Sequence, residues 1–227
     1  MSDRADMALP DLPLPARFLG SMAPYFRILL PLELRGEYRK ILYLDADMFV
    51  EGGDLSRLLD QDLGPYPLAA ARDAPSLYLP NHHAREFRQI GLPQLRYANT
   101  GAMLIDTAAY VEQDVARRAF SQADGHPNGF HLADQSLFNL ALRGQFAELS
   151  PAWNWMLSGS LPLMTIPFPV FLRHFIGKDK PNNNPGDQRD ARFHRAYAEF
   201  FALYAPEELK RLAPPRKSTF RRFNRMP

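Results

Sequence analysis

The residues of this chain best suited to chemistry are Asp45 and Asp47, which follow the mostly apolar run at 41–44. Such a run is typical of a strand buried on both faces, and ligands bind at the carboxyl ends of strands in open α/β sheets. Side chains two apart share a face of an extended segment. Both carboxylates can therefore reach one hard cation such as Mn²⁺ or Mg²⁺. The pattern also fits a strand-end turn whose carboxylates cap the next segment, and both interpretations stay open.

A second group of candidates lies near residue 175. His174 offers a nitrogen ligand, while Gly177, Lys178 and Lys180 suit an anion, because glycine lets backbone amides approach and lysine neutralises phosphate. Alone, such a histidine is more often structural and such lysines are usually solvated. The segments YANTG (97–101) and ADQ (133–135) add amide groups that suit sugar hydroxyls, although turn and cap positions use the same residues.

Helices and strands alternate along the chain, which favours an α/β fold. Strands are predicted at 40–45, 67–72, 101–106, 146–149 and 170–175. Helices are predicted from Ser21 and Pro24 onward, at 54–60, at 84–90, at 108–120 with Thr107 as the cap, at 134–142 and at 191–204. The rest of 74–98 is expected to be irregular.

Composition restricts the class of protein. The 227 residues are 46% hydrophobic and 23% charged, as in ordinary globular domains. No apolar stretch reaches the roughly 20 residues that span a bilayer, and the first fifteen residues do not resemble a signal peptide. Cysteine is absent, so a reducing compartment is expected.

The net charge of +2 is unevenly distributed, because the last twelve residues carry five basic and no acidic side chains. Phe220 and Phe223 lie among these cations, a composition that suits an anionic membrane surface. A solvated, disordered tail explains the same composition equally well. RNA binding is the weakest interpretation, because no folded stacking platform accompanies the tail, and we expect no nucleic-acid partner.

Taken in order, several blocks resemble glycosyltransferase family 8, a retaining group that uses nucleotide sugars and includes lipopolysaccharide galactosyltransferases and glucosyltransferases. The resemblance covers roughly residues 21–182. The blocks are YFR (25–27), ILYLDADMFV (41–50), DLSRLLDQDLG (54–64), AARD (70–73), YANTGAMLID (97–106), ADQSLFNLAL (133–142), PAWNW (151–155) and HFIGKDKP (174–181).

The resemblance implies a role for each matching residue. Asp45, Asp47 and His174 would bind Mn²⁺, with Mg²⁺ as the alternative ion. By the same resemblance, Gly177 and Lys180 would hold the diphosphate of a UDP-sugar, and Arg27 and Asp73 would contact the donor sugar. Asn99 and Gly101 would line the cleft beside that sugar. Asp134 and Gln135 would lie at the reacting centre. Asp73, Asp134 and Gln135 are the catalytic candidates. Front-face attack and double displacement both remain open.

The implied fold is a GT-A type: a mixed, mostly parallel sheet flanked by helices, with an N-terminally truncated Rossmann-like portion. We expect an extended lead-in at 1–20, a catalytic domain at 21–190 that is incomplete at its N-terminus, helices at 191–213 and a basic aromatic tail at 214–227. About twenty residues precede the first helix, too few for a βαβ unit of ~30 residues. The family's aromatic positions are Ala98 and Asn182 here, which affects acceptor specificity.

The expected function is transfer of galactose or glucose from a UDP-sugar to a glycan such as lipopolysaccharide core, in the cytoplasm and peripherally at the inner membrane face. One alternative is a non-catalytic remnant of such an enzyme without a complete nucleotide site. Another is a metal-dependent hydrolase that uses Asp45, Asp47 and His174.

Overall fold

The computed structural model describes residues 22–123, 130–157, 169–177, 180, 191–210 and 212. Within these residues the strands are β1 Lys40–Leu44, β2 Met48–Val50, β3 Leu68–Arg72, β4 Ala98–Asp106, β5 Ala147–Glu148, β6 Trp155–Leu157 and β7 Leu172–Phe175. The α-helices are α1 Phe26–Leu34, α2 Leu55–Leu59, α3 Ala74–Tyr78, α4 Arg85–Gln89, α5 Thr107–Glu112, α6 Val115–Ser121, α7 Ala133–Leu142, α8 Ala191–Tyr204 and α9 Pro206–Leu209. The predicted lead-in and tail lie outside the described residues.

The larger sheet has the strand order β1-β4-β3-β5. Strand β4 is antiparallel to both β1 and β3, while β5 is parallel to β3. Three of its strands therefore run in one direction and β4 runs against them. This confirms the mixed sheet that the family resemblance implied, although the β3–β5 pairing is its only parallel one among the described strands.

Side chains of β3 and β4 alternate between two apolar cores, as the two-residue period of a strand requires. Met103 and Ile105 face a core built with helices α1, α5, α6 and α7. Ala102 and Leu104 face a second core that includes Leu58 of α2. Helices therefore cover both faces of the sheet.

The second sheet is smaller, with the order β2-β7-β6. Strand β7 is antiparallel to β2 and parallel to β6. Helix α8 packs against this sheet through Phe193, whose ring lies 5.0 Å from that of Phe49 and 4.9 Å from that of Phe175.

The expectation that residues 41–44 are buried on both faces is wrong. Each residue of β1 is only half-buried. Among the described strands, β1 pairs with β4 alone and lies at the end of the sheet. An edge strand and a central strand can have the same apolar sequence pattern, because the pattern does not depend on how many strands pair with them.

The strands and helices before residue 106 agree with the sequence prediction to within a few residues, except that β2 and α3 were not predicted. The predicted helix at 108–120 is instead two helices, because Asp114 has a φ of 51° in the left-handed region and ends the first one. The cap of α5 is Asp106, whose carboxylate accepts from the Ala109 N–H at 3.0 Å, and Thr107 is the first helical residue.

Candidate functional site

Strand direction brings distant segments to one edge of the larger sheet. Strands β1 and β3 run the same way, so Asp45 and Asp73, which follow them, lie at the same edge. Strand β4 runs the opposite way, so its early residues Asn99 and Gly101 start at that edge. The Asp45 N–H donates to the Gly101 carbonyl at 2.8 Å, and the Asp73 N–H donates to the Tyr97 carbonyl at 2.9 Å.

The segment that holds Asp45 and Asp47 is a turn and not an extended segment, which corrects the stated reason for their proximity. The Met48 N–H donates to the Asp45 carbonyl at 3.2 Å and closes the turn between β1 and β2. Met48 then pairs with His174 across the second sheet, and the Phe175 N–H donates to the Asp47 carbonyl at 3.1 Å. The turn and this strand pairing together place the histidine beside the two aspartates.

Asp45, Asp47 and His174 form what we call the metal cluster, in which one ligand atom from each residue lies within 4.8 Å of the others. His174 Nε2 is 3.3 Å from Asp47 Oδ1 and 3.7 Å from Asp45 Oδ2. Asp47 Oδ1 is buried and has no hydrogen-bond donor among the described residues. A buried oxygen without a donor beside a ring nitrogen fits a divalent cation, so these residues could hold one.

Lys180 adds a positive charge to this cluster. Its Nζ donates to Asp47 Oδ2 at 2.5 Å and also contacts the Phe175 carbonyl. Burial alone would raise the pKa of Asp47, but charged and hydrogen-bonding neighbours that include Lys180 lower it below its usual value. Gly177 has a φ of 83°, a left-handed conformation that favours glycine, and it lines the adjoining cleft. Lys178 lies outside the described residues.

Arg27 of α1 lies between two acidic residues that come from different parts of the chain. Its Nη1 is 2.8 Å from Asp45 Oδ1, and its Nε is 3.1 Å from Asp134 Oδ2, although without hydrogen-bond geometry. Tyr43 supports the pair, because its hydroxyl donates to Asp45 Oδ1 at 2.8 Å and its ring lies 4.7 Å below the guanidinium. The metal cluster is thus joined through one cation to the start of α7.

Asp134 enters the site at the beginning of α7, immediately after Ala133. Ala133 has a φ of 47°, a strained conformation for a residue with a Cβ. Burial raises the pKa of Asp134 to about 6, against the opposing effect of the Arg27 charge. A carboxyl with a pKa this close to neutrality is suited to a reacting centre.

Asp73, Asn99 and Gln135 form a second group, the amide cluster. Asn99 Nδ2 and Gln135 Nε2 both donate to Asp73 Oδ1, at 2.9 and 3.4 Å. Gln135 Oε1 accepts from the Thr100 N–H at 3.2 Å. Burial raises the pKa of Asp73, and the two amides partly offset that effect. Both ends of the Gln135 amide are therefore used in holding the cluster together.

Gly101 packs directly against the imidazole of His174. A Cβ at this position would lie 2.2 Å from His174 Cε1 and 2.6 Å from Nδ1. The glycine therefore makes room for the imidazole of the metal cluster.

The two clusters share one open cleft with a volume of about 590 Å³. Of the predicted site residues, the cleft is lined by Arg27, Asp45, Asp47, Asp73, Asn99, Asp134, Gln135, His174 and Gly177. Lys180 reaches the same region through Asp47. The predicted residues are thus brought together, with Gly101 lying behind the histidine.

Among the residues that sequence reasoning missed, two make hydrogen bonds directly to the metal cluster. Asn154 hydrogen-bonds to His174, and Tyr43 hydrogen-bonds to Asp45. An asparagine within the aromatic block PAWNW, and a tyrosine two residues before the first aspartate, were the available signals. Neither residue type at these positions is distinctive without the fold.

The model of the family described as "Glycosyl transferase family 8" matches residues 12–184. The chain belongs to glycosyl transferase family 8. The match includes every residue of both clusters.

Two curated relatives show how far the similarity extends. General stress protein A of Bacillus subtilis (strain 168) is 30% identical over 190 residues, covering 76% of this chain and 64% of that protein. Lipopolysaccharide 1,2-glucosyltransferase of Escherichia coli (strain K12) is 26% identical over 179 residues, covering 74% of this chain and 51% of that protein. The chain therefore spans less than two thirds of the length of these relatives.

A solved structure supports the fold. The galactosyltransferase LgtC, in complex with donor and acceptor sugar analogues, superposes with a TM-score of 0.58 at 24% identity, covering 84% of this chain and 67% of that one. At this identity the likeness establishes the GT-A type fold. Within the described residues, no helix has the length and apolar content needed to cross a membrane.

Proposed function

We propose that this protein is a retaining hexosyltransferase that moves galactose or glucose from a UDP-sugar to a glycan acceptor such as lipopolysaccharide core. The observation that carries the proposal is the meeting of Asp45, Asp47 and His174 in one cleft with the amide cluster. Asp47 and His174 are 127 positions apart, so only a specific fold unites them. Family membership supports the reaction class.

The metal cluster would hold Mn²⁺, with Mg²⁺ as the alternative. Mn²⁺ is the better match because the cluster combines carboxylates with an imidazole, whereas Mg²⁺ is usually bound through oxygen ligands and retained waters. When bound, such an ion neutralises the charge that develops on a departing diphosphate. Lys180 and the backbone at Gly177 contribute positive charge and amide donors to the same phosphates.

The opposite side of the cleft would bind the sugar. Amide and carboxyl groups of Asp73, Asn99 and Gln135 match the donor and acceptor pattern of sugar hydroxyls. Arg27 would contact the donor sugar, and it holds Asp134 in place. Asp134 would stabilise the positive charge that develops at the anomeric carbon, while the bond to UDP breaks and the bond to an acceptor oxygen forms.

The proposal is tested by measuring UDP release from UDP-galactose and UDP-glucose, with and without Mn²⁺, and with and without a lipopolysaccharide-core acceptor. We expect Mn²⁺-dependent release that is stimulated by the acceptor. The absence of both UDP binding and UDP release would reject the proposal. Release without any glycosylated product would indicate a hydrolase instead.

We further propose that the protein works in the cytoplasm, bound peripherally to an anionic inner membrane face. The end of α8 exposes a run of large apolar side chains, with Phe200 53%, Leu203 75% and Tyr204 73% exposed. The basic residues at 216–225 follow in sequence and would add electrostatic attraction. Stable peripheral binding requires two contributions of this kind: apolar side chains that insert into the membrane and basic residues attracted to its anionic surface.

Vesicle sedimentation tests this second proposal. The protein should sediment with vesicles that contain phosphatidylglycerol and remain in solution with phosphatidylcholine alone. Replacing Leu203 and Tyr204 by serine should weaken the binding several-fold. Equal binding to both kinds of vesicle, or no change on substitution, would contradict it.

A further inference from the structure

A chain of side-chain amides connects the metal cluster with the amide cluster. His174 Nδ1 lies 3.0 Å from Asn154 Oδ1, and Asn154 Nδ2 donates to Asn99 Oδ1 at 2.8 Å. Asn99 Nδ2 donates in turn to Asp73 Oδ1 at 2.9 Å. Asn154 is 0% exposed and His174 is 4% exposed, so bulk water does not replace these hydrogen bonds.

The direction of this chain is determined at Gly101. The backbone N–H of Gly101 lies 3.0 Å from Asn99 Oδ1, and a backbone N–H can only donate. The atom of Asn99 that faces Gly101 and Asn154 is therefore its oxygen. Asn154 must offer its NH₂ group to that oxygen, which leaves the Asn154 oxygen facing His174 Nδ1. This ring nitrogen must then carry a hydrogen.

We infer that Asn154 is a positioning residue, which holds the hydrogen of neutral His174 on Nδ1 and keeps Nε2 available as a metal ligand. The inference rests on the proposed metal-binding role of His174. The position of the hydrogen can nevertheless be measured without any metal, independently of sugar transfer.

The surroundings of Nε2 show why such a residue is needed. Asp47 Oδ1 lies 3.3 Å and Asp45 Oδ2 3.7 Å from this nitrogen, and carboxylates are strong acceptors. Without a competing acceptor at Nδ1, they would draw the hydrogen to Nε2, where it would occupy the ligand atom. Asn154 supplies that competing acceptor from the opposite side of the ring.

The local fold fixes Asn154 against the ring. Its N–H donates to the Pro151 carbonyl at 3.0 Å, which closes a tight turn, and the Ser150 side chain caps that turn. The next residue, Trp155, pairs with Arg173 in the second sheet. Asn154, immediately before β6, and His174 of β7 are thus held by neighbouring backbone segments, so the hydrogen bond forms at little additional entropic cost.

The first test is nitrogen-15 NMR of the full-length, metal-free protein labelled at histidine, recorded above the usual pKa range of histidine. The chemical shifts distinguish the ring nitrogen that carries hydrogen from the one that does not. We expect His174 to be an Nδ1–H tautomer. An Nε2–H tautomer, or an equal mixture, in the unmodified protein overturns the inference.

Two variants at the same position form the second test. Asn154→Ala removes the acceptor and should shift the hydrogen to Nε2, whereas Asn154→Asp retains an oxygen at Nδ1 and should preserve the Nδ1–H form. Mn²⁺ affinity, measured from the EPR signal of free Mn²⁺, should fall about 10- to 100-fold in the alanine variant. The aspartate variant should retain most of the affinity.

Three results separate the possible explanations. An unchanged tautomer in Asn154→Ala overturns the inference. Failure of the alanine variant to fold, judged from its amide spectrum, leaves the decision to the tautomer of the unmodified protein. An Nδ1–H tautomer in a protein that binds no Mn²⁺ would preserve the inference about Asn154 while rejecting the proposed metal site.

Discussion

The metal cluster and the amide cluster both contain buried or half-buried aspartates, and the two surroundings treat the carboxyl group in opposite ways. In the metal cluster, charged and hydrogen-bonding neighbours that include Lys180 lower the pKa of Asp47. In the amide cluster, burial raises the pKa of Asp73, and its neighbours are uncharged amides. Charge is concentrated where phosphates would bind, and neutral hydrogen-bonding groups lie where a sugar would bind.

This difference indicates a division of labour within one cleft. Charged side chains compensate for the charges of the phosphates and the metal ion. These charge–charge interactions are strong but depend little on direction. Amides discriminate hydroxyl positions through paired donors and acceptors. The two clusters meet at Gly101, whose N–H contacts Asn99 and whose missing side chain admits His174.

The largest expected effect comes from removing one carboxylate from each cluster in turn, because the two removals should change different measured quantities. Asp47→Asn should weaken Mn²⁺ binding at least about 100-fold, because it changes a ligand directly. Asp73→Asn should leave Mn²⁺ affinity nearly unchanged and reduce sugar transfer about 100-fold. Calorimetry and a UDP-release assay measure the two quantities.

Asp60→Asn is the matched control for these two variants, because Asp60 is exposed and lies at the end of α2 away from the cleft. It should behave as the unmodified protein. Equal losses of Mn²⁺ affinity in Asp47→Asn and Asp73→Asn would show that the clusters are a single unit.

The next effect concerns Asp134, whose pKa is raised to about 6 by burial, while the Arg27 charge lowers it and the Asp45 charge raises it. Its folded-state pKa of about 6 exceeds the model-compound value of 3.8, so the folded protein retains a proton that the unfolded chain releases. The free energy of unfolding should therefore fall by about 3 kcal/mol as pH rises through this interval, and stay lower above it.

Denaturant titrations of the metal-free protein across this pH range provide the measurement. Asp134→Asn lacks the titrating group, so the difference between variant and unmodified protein isolates this contribution. A difference that does not change with pH would mean that Asp134 titrates normally. Asp47 should contribute in the opposite sense, since its lowered pKa stabilises the fold above its unfolded-state pKa and this stability is lost toward pH 2.

The smallest effect tests the contact between the clusters. Gly101→Ala should displace the His174 ring, since the new Cβ would lie 2.2 Å from Cε1. We expect Mn²⁺ affinity to fall about 10-fold, with a loss of about 1–3 kcal/mol in unfolding free energy from overpacking. EPR and thermal unfolding give the two numbers.

Gly52→Ala is the control for this substitution, because a Cβ there meets nothing within 4 Å. Its stability and Mn²⁺ affinity should match those of the unmodified protein. If Gly101→Ala behaved in the same way, the ring of His174 would have room to move, and the proposed positioning of that ring would be wrong.

Much of the fold was predictable where one local signal dominates. The run at 41–44, the alanine-rich β3 and the amphipathic α8 each have a clear apolar pattern. The split between α5 and α6 was missed because it depends on one residue in a left-handed conformation, Asp114, which the pattern does not reveal. The edge position of β1 depends on pairing partners far along the chain.

The amino-acid sequence by itself determined which groups are available: an Asp-x-Asp pair after a strand, a histidine before a glycine turn with lysines, and amides in two further segments. Residue types set the chemistry because ligand and hydrogen-bonding preferences belong to the side chain. Only the tertiary structure decided that Gly101 accommodates His174, that Arg27 joins Asp45 to Asp134, and that Asn154 faces Nδ1. These relations depend on strand direction and register, which arise from packing over the whole chain.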